Sequence, residues 1–306
     1  MSLEVLDNAL DEVFEYGNPE SNKKFTFIDL FAGIGGFHIA LSELGGECVF
    51  AAEIDEHARK TYKDNLIKKN SILNKNFIKD ITKVSTKSIP NFDILCAGFP
   101  CQPFSQAGFK KGFSEARGTL FFNIVEIIKD KQPQAFFLEN VRHLLKHDEG
   151  RTFKIIERII TKDLGYSFFY SIVKASDFGL PQHRPRLFMV GFKNTDIEFE
   201  FPKPIQLKTN MSNIFGGKCN KEVGFTLRVG GRGSGVSDRR NWDTYLVDNK
   251  IVRLSSKEGL KLQGFPKTYN FTVSETQAMK QLGNSVAVPA VKAVAKNIVD
   301  SLNENI

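Results

Sequence analysis

The sequence predicts an α/β fold, a mostly parallel sheet with crossover helices followed by a smaller second domain. Three observations carry this. Across the first 200 residues, short β-branched and aromatic runs alternate with helical patterns of 10–15 residues. After FPKP (201–204) the alternation breaks into a glycine-rich, basic stretch without a clear period. From about Ser255 helical signals resume.

Each element follows from its pattern. In MSLEVLDNALDEVFEYG, Leu3, Leu6, Leu10, Val13 and Phe14 fall at helical spacing, which predicts an amphipathic helix before the polar linker NPESNKK. This stretch is acidic and lacks the basic, apolar, small-residue order of a secretory leader, so none is expected. FTFIDLF (25–31) reads as a buried strand, GFHIALSEL (36–44) as a helix, ECVFAAEI (47–54) as a strand and 55–69 as an exposed helix. A third strand is expected just before Asp80, with further strands at 92–98, 135–141, 166–175 and 186–192. Helices are expected at 118–130, 152–165 and 286–302. In the last of these Pro289 lies in the first turn, where its missing N–H costs nothing. Val291, Val294, Ile298 and Leu302 form an apolar stripe that needs a core, so the C-terminus should return to the first domain. The expected division is an extension at 1–24, a main domain at 25–200, a smaller domain at 201–275 and a returning helix at 276–306.

The chain has 306 residues, 41% hydrophobic and 25% charged, as in soluble globular proteins. It contains no apolar run long enough to cross a bilayer, so no membrane partner is expected. Its four cysteines, Cys48, Cys96, Cys101 and Cys219, are too few and scattered for a disulfide framework, and no C-x-x-C pair suggests zinc. A reducing cytoplasm and no metal site are the expectations. Net charge is +7, and residues 203–253 hold ten Lys or Arg against four acidic residues. Such a concentration suits a polyanion through counterion release, with a solvated surface loop as the equal alternative on charge alone.

Two stretches carry chemistry. IDLFAGIGGF (28–37) is a strand that ends in a glycine turn at the mouth of a helix, where free N–H groups and close backbone approach suit a ligand. Glu53 ends the next strand twenty residues after Gly33, the position from which nucleotide-type folds bind ribose hydroxyls. The spacing is not G-x-G-x-x-G, which favours a mononucleoside cofactor such as S-adenosylmethionine over a dinucleotide. Asp80 could reach an adenine amino group from the next strand. In AGFPCQPF (97–104), Cys101 lies just past a buried strand with Pro100 and Pro103 restricting the backbone around it, which suits a nucleophile held in one geometry. Cys48 and Cys96 read as core residues. SQAGFKKGFSEARG (105–118) reads as a lid with cations for phosphate, Ser105, Lys110 and Lys111 being its candidate nucleic-acid contacts. Glu139 and Asn140 end the strand AFFLEN, and QHRPR (182–186) supplies Arg184 and Arg186. A buried carboxyl can share a proton with a substrate nitrogen, and an arginine can grip a carbonyl oxygen. A structural Glu139–Arg186 ion pair is the equal alternative for either residue alone.

Nine blocks in register resemble the C5-cytosine DNA methyltransferases of bacterial restriction–modification systems: DLFAGIGGF (29–37), Glu53, Asp80-Ile81, GFPCQPFS (98–105), RGTLFF (117–122), ENV (139–141), QHRPR (182–186), RLSSKEGLKLQGFP (253–266) and QLGNSVAVP (281–289). The resemblance implies a Rossmann-like S-adenosylmethionine-dependent methyltransferase domain with a smaller target-recognition domain. It implies that Cys101 attacks C6 of a cytosine flipped out of duplex DNA. Glu139 would contact N3 and the exocyclic amine, Arg186 the base O2, and Arg184 would support the covalent step. Phe31, Gly33, Ile34, Gly35, Glu53, Ile54, Asp80, Ile81, Pro100, Asn284, Ser285 and Val286 would line the cofactor pocket. Thr226-Leu227 matches a pair in the family's recognition region, with Thr226 supporting the backbone beside the flipped base. Arg228, Arg232, Arg239 and Arg240 would meet guanine edges or phosphates of the DNA. TLRVGGRGSGVSDRRNWDTY (226–245) is similar to regions of enzymes acting on GG-x-CC-type sites. A cognate restriction endonuclease and a monomeric state are further expectations. A tRNA cytosine methyltransferase of the same fold is the rival reading, and a non-catalytic DNA-binding protein of this fold the other.

Overall fold

Among the described residues seven strands, numbered along the chain, make one sheet in the order 3-2-1-4-5-7-6, and a separate two-stranded hairpin lies beyond it. The computed structural model describes residues 25–67, 71–100, 120–231 and 233–305. The expected N-terminal helix, the expected lid at 105–118, and Cys101 and Arg232 lie outside the described residues.

Along the chain, β1 (Thr26–Leu30) leads to α1 (Gly36–Ser42), β2 (Glu47–Ala52), α2 (Glu56–Leu66), α3 (Ser71–Asn76) and β3 (Phe77–Ile78). Then come β4 (Ile94–Gly98), α4 (Leu120–Lys131), β5 (Ala135–Val141), α5 (Arg151–Arg158), β6 (Phe169–Lys174) and β7 (Pro185–Phe192). After these follow α6 (Met211–Phe215), the hairpin β8 (Thr244–Val247) and β9 (Lys250–Arg253), and the helices α7 (Ser256–Gln263), α8 (Glu275–Asn284) and α9 (Val288–Glu304). Local chemistry sets several of these boundaries. Asp55 caps α2 by accepting from the Ala58 N–H at 3.0 Å. Ser255 and Glu258 form a reciprocal capping box on α7, and Pro289 occupies the first turn of α9.

The first five strands pair in parallel, whereas β7 runs antiparallel to both β5 and β6. The sequence pattern predicts the strands but not this reversal. Its cause is the connection: only residues 175–184 join β6 to β7. A parallel crossover needs a dozen or more residues, so the chain can only turn back. The hairpin also escapes a reading by period, because each of its strands has four residues. Its turn, Asp248-Asn249, has φ values of 49° and 62°, the left-handed pair that a two-residue hairpin requires.

Alternate residues of the central strands go to opposite faces, as the pleat dictates. Ile28, Leu95, Phe136 and Met189 pack under α4 and α5 on one face. Phe27, Cys96, Phe137 and Phe188 pack on the other, against α1 and α9. Met211, Ile214, Leu227, Trp242 and Tyr245 from the glycine-rich stretch belong to this second core, as do Val291, Val294 and Ile298 of α9. The basic segment is thus built onto the face that α9 covers. Cys48 and Cys96 are both fully buried.

At one point the two parts meet backbone to backbone. A Cβ on Gly283, near the end of α8, would lie 2.5 Å from the carbonyl carbon and oxygen of Arg228 and 2.8 Å from the nitrogen of Val229. Backbone atoms have no rotamer by which to yield. Gly283→Ala should therefore lower stability by about 1–3 kcal/mol, the range for overpacking. Urea unfolding checks this, and an unchanged midpoint would show that the junction is looser than described.

Candidate active site

The glycine turn after β1 and the acid after β2 are joined directly. The Gly33 N–H donates to Glu53 Oε2 at 2.8 Å, and the Asp55 N–H donates to Oε1 at 2.7 Å. The Ala32 N–H also reaches the Ala52 carbonyl at 2.9 Å, which extends the β1–β2 pairing into the turn. Burial pushes the Glu53 carboxyl up from its usual range, and these backbone donors pull against that shift. Phe31 takes a positive φ of 57°, a conformation that costs a non-glycine residue energy and that clusters at functional turns. A Cβ on Gly33 would meet nothing within 4 Å, so its backbone faces open space.

That space is a cavity of about 410 Å³ at the carboxyl edge of the sheet. Phe31, Gly33, Ile34, Glu53 and Ile54 line one side of it. Ile54 is 63% exposed, an unusual position for a large apolar side chain unless a flat apolar ligand covers it. Pro100, Glu139, Arg186 and Asn284 line the other side. A cleft of this size, with few polar groups converging on it, is what a nucleoside-sized ligand requires.

Glu139 and Arg186 come together from adjacent antiparallel strands, with Arg186 opposite Val141 in the register. Arg186 Nε donates to Glu139 Oε1 at 2.9 Å, and both side chains are largely buried. Burial raises the Glu139 carboxyl above its usual range, while the charges of Arg186 and Arg184 pull it back down. Its neighbour Asn140 acts on the backbone. Asn140 Nδ2 donates to the Phe99 carbonyl at 2.9 Å and Oδ1 accepts from the Val141 N–H at 2.8 Å. This tether fixes the segment that leads through Pro100 to Cys101, which lies outside the described residues.

Arg184 lies elsewhere. It is 1% exposed and does not line the cavity. Its Nη1 donates to the Leu227 carbonyl at 3.1 Å, and its Nη2 to the carbonyls of Gly283, at 3.0 Å, and Ser285. Burial works against its charge, Arg186 adds to that opposition and Glu139 counters it. Gln182 reinforces the same junction, donating to the Leu262 carbonyl at 2.7 Å and accepting from the Leu227 N–H at 3.1 Å. The Thr226 hydroxyl donates to the His183 carbonyl. QHRPR and Thr226-Leu227 therefore form one rigid joint.

The remaining candidates divide. Gly35 takes a left-handed φ of 83° at the start of α1, and Ser285 and Val286 are buried, so none of the three lines the cavity. Asp80 and Ile81 do not line it either. Asp80 accepts from the Thr82 N–H and hydroxyl at 3.0 and 2.6 Å, and Ile81 is in the core. Arg228, Arg239 and Arg240 are exposed, with Arg240 paired to Asp238 at 2.8 Å. Arg228 and Arg240 border a depression of about 600 Å³ that also contains Gly230, Gly231 and Trp242. Ser105, Lys110, Lys111 and Arg232 lie outside the described residues. The structure adds Asp55 and Lys280 to the cavity wall, joined by an ion pair of 3.0 Å. Asp55 could have been found from its place directly after Glu53-Ile54, but no local signal links it to Lys280. Among the described residues no group of three or more side chains could hold a metal ion, and no helix is long and apolar enough to cross a membrane.

Comparison with known proteins bears on this geometry. The family model for C-5 cytosine-specific DNA methylase matches residues 25–228 and 225–300. Among curated relatives, the type II methyltransferase M.HpaII of Haemophilus parainfluenzae is 41% identical, with 97% of each chain covered. The type II methyltransferase M.HhaI of Haemophilus parahaemolyticus is 36% identical over 90% of this chain and 95% of its own. Among solved structures, a Spodoptera frugiperda DNMT2 mutant superposes with a TM-score of 0.70 at 20% identity, over 90% of this chain and 99% of its own, which shows a common fold. The cavity, the Glu139–Arg186 pair beside it and a family match spanning both parts of the described chain lead to one assignment: the chain belongs to the C-5 cytosine-specific DNA methylase family and is a DNA cytosine-5 methyltransferase.

Proposed function

We propose that the protein transfers a methyl group from S-adenosylmethionine to C5 of a cytosine in a short, specific duplex sequence. The route is base flipping and a covalent bond between Cys101 and C6, and the biological role is the modification half of a restriction–modification system. The observation that carries this is the location of the buried Glu139–Arg186 pair in the same cavity as Glu53 and Pro100. The residues fit the cofactor. Phe31, Ile34 and Ile54 offer apolar contact, the Glu53 carboxylate suits ribose hydroxyls, and the open backbone at Gly33 permits close approach. Bound there, S-adenosylmethionine supplies the electrophilic methyl carbon that the activated C5 takes up.

The chain's own residues do the rest. Cytosine C6 is a poor electrophile unless N3 receives a proton as the thiolate adds. Glu139, with its carboxyl raised by burial, keeps that proton available to a higher pH than an exposed glutamate would. Arg186, already paired with Glu139, holds the base O2 beside that carboxyl. Cys101 leaves as C5 gives up its proton. Arg184 is a positioning residue in this scheme, because it holds Leu227, Gly283 and Ser285 rather than the base. The exposed Arg228, Arg239 and Arg240, of which Arg228 and Arg240 border the glycine-rich depression, supply the DNA-facing charge. Its type II relatives support the restriction–modification setting, and a cytoplasmic monomer with a cognate endonuclease completes the proposal.

The direct test uses duplexes carrying 5-fluorocytosine at the preferred site, together with the methyl donor. Fluorine cannot leave as a proton does, so the wild-type protein should stay covalently joined through residue 101. Cys101→Ala should form no adduct while binding the cofactor with unchanged Kd. An adduct on that variant, or none on the wild type at a site it methylates, would refute the nucleophile assignment.

A second outcome concerns pH. Because the Glu139 carboxyl lies above its usual range, its proton is fully present at low pH and is lost as pH rises through that raised value. The ratio of trapping rates, wild type over Glu139→Gln, cancels the ionisation of Cys101 that both proteins share. This ratio should fall as pH rises, by tenfold or more between full protonation and full loss. A ratio independent of pH would remove Glu139 from proton transfer.

A further inference from the structure

On the face of the fold covered by α9, with no lining residue in common with the cavity, lies a second groove of about 360 Å³. Its walls are apolar: Leu44 just past α1, Phe178, Ile205, and Val288, Pro289 and Ala293 of α9. Ile205 is 56% exposed. Three lysines rim the groove, Lys203 and the pair Lys292 and Lys296, which stand one turn apart on α9. The chemistry proposed above uses none of these residues.

We propose that residues 3–14 of this same chain dock in this groove as an amphipathic helix. Three observations select this occupant. The first is position. The Phe25 carbonyl accepts from the Glu47 N–H at 2.9 Å, and the Phe25 ring crowds Gly46, where a Cβ would lie 2.6 Å from it. Gly46 is two residues beyond Leu44, so the chain ahead of Phe25 sets out within roughly 15 Å of the groove. The linker NPESNKK (18–24) spans up to about 24 Å, which is ample.

The second is the apolar pattern. The spacing of Leu3, Leu6, Leu10, Val13 and Phe14 puts them on one stripe when residues 3–14 are helical, about 18 Å in length, and such a stripe needs a partner surface. The third is charge. Residues 1–22 contain six Asp or Glu and no Lys or Arg. At helical spacing Glu4, Asp7, Asp11 and Glu15 fall along one flank of the stripe, opposite in sign to the lysine row on α9. Lys292 already pairs with Glu43 at 2.9 Å and Lys296 with Asp300 at 2.7 Å. Docking therefore shares these partners, and the charges orient the helix while apolar burial holds it.

Hydrogen–deuterium exchange on the full-length protein tests this without reference to methyl transfer. The amides of residues 3–14 should exchange at least tenfold more slowly than their unstructured rates, since a free helix of this length gives little protection in water. Ile205→Asp, at an exposed position that leaves the fold intact, should restore the unstructured rates in that segment, as should Leu6→Asp with Leu10→Asp. Unstructured rates in the wild type would overturn the proposal, and so would protection that Ile205→Asp leaves untouched. Protection that disappears on dilution, with a dimer in sedimentation, would assign the groove to a second copy and overturn docking within one chain.

Discussion

A single buried guanidinium holds the two parts of the protein in register. Arg184 gives hydrogen bonds to three backbone carbonyls: one on the recognition side, at Leu227, and two at the end of α8, at Gly283 and Ser285. Taking such a cation out of water is costly; the three carbonyls offset part of that cost, while the Nε–H is buried without a hydrogen-bond partner among the described residues. The carbonyl arrangement is therefore specified closely, because a looser one would leave buried charge without a partner. The contact of Gly283 with the backbone of Arg228 and Val229, too close for any side chain, reports the same tight fit. Gln182 adds a neutral counterpart with bonds to Leu262 and Leu227.

That joint links the chemical and recognition elements through short covalent paths. Arg184 is two residues from Arg186, and Leu227 is one residue from Arg228. Ser285 adjoins Asn284, which lines the cavity. A displacement of the exposed basic segment would thus be felt at the Glu139–Arg186 pair and at the Asn284 turn together. Placement of this kind matters for a covalent step, where small errors in attack geometry cost orders of magnitude in rate.

Glu53 and Glu139, both raised by burial, differ in their partners and hence in their use. Backbone N–H groups from Gly33 and Asp55 surround Glu53, which suits a carboxylate that accepts hydrogen bonds from hydroxyls. Glu139 has the Arg186 guanidinium beside it, whose charge pulls against the upward shift that burial imposes. One cavity thus holds one carboxyl among backbone donors and another beside a guanidinium.

Much of this was legible in the residues themselves. Strand and helix periods, the glycine turn after Leu30, the acid at Glu53 and the prolines around Cys101 are local features, each imposed by backbone sterics or by the pleat and helix repeats. Of these, Gly33, Glu53 and Pro100 line one cavity, and Val291, Val294 and Ile298 of α9 lie in the core. The Glu139–Arg186 pair was open to two readings, and only the adjacency of β5 and β7 gave it a place in the cavity. Other features came from tertiary structure alone. The reversal of β7 depends on the length of a connection, the four-residue hairpin strands are too short to show a period, and Asp80 turns to cap its own turn rather than line the cavity. Arg184 is given a supporting role in the covalent step by the family resemblance. Its three carbonyls come from residues 43, 99 and 101 positions away, and no local pattern encodes acceptors at such separations.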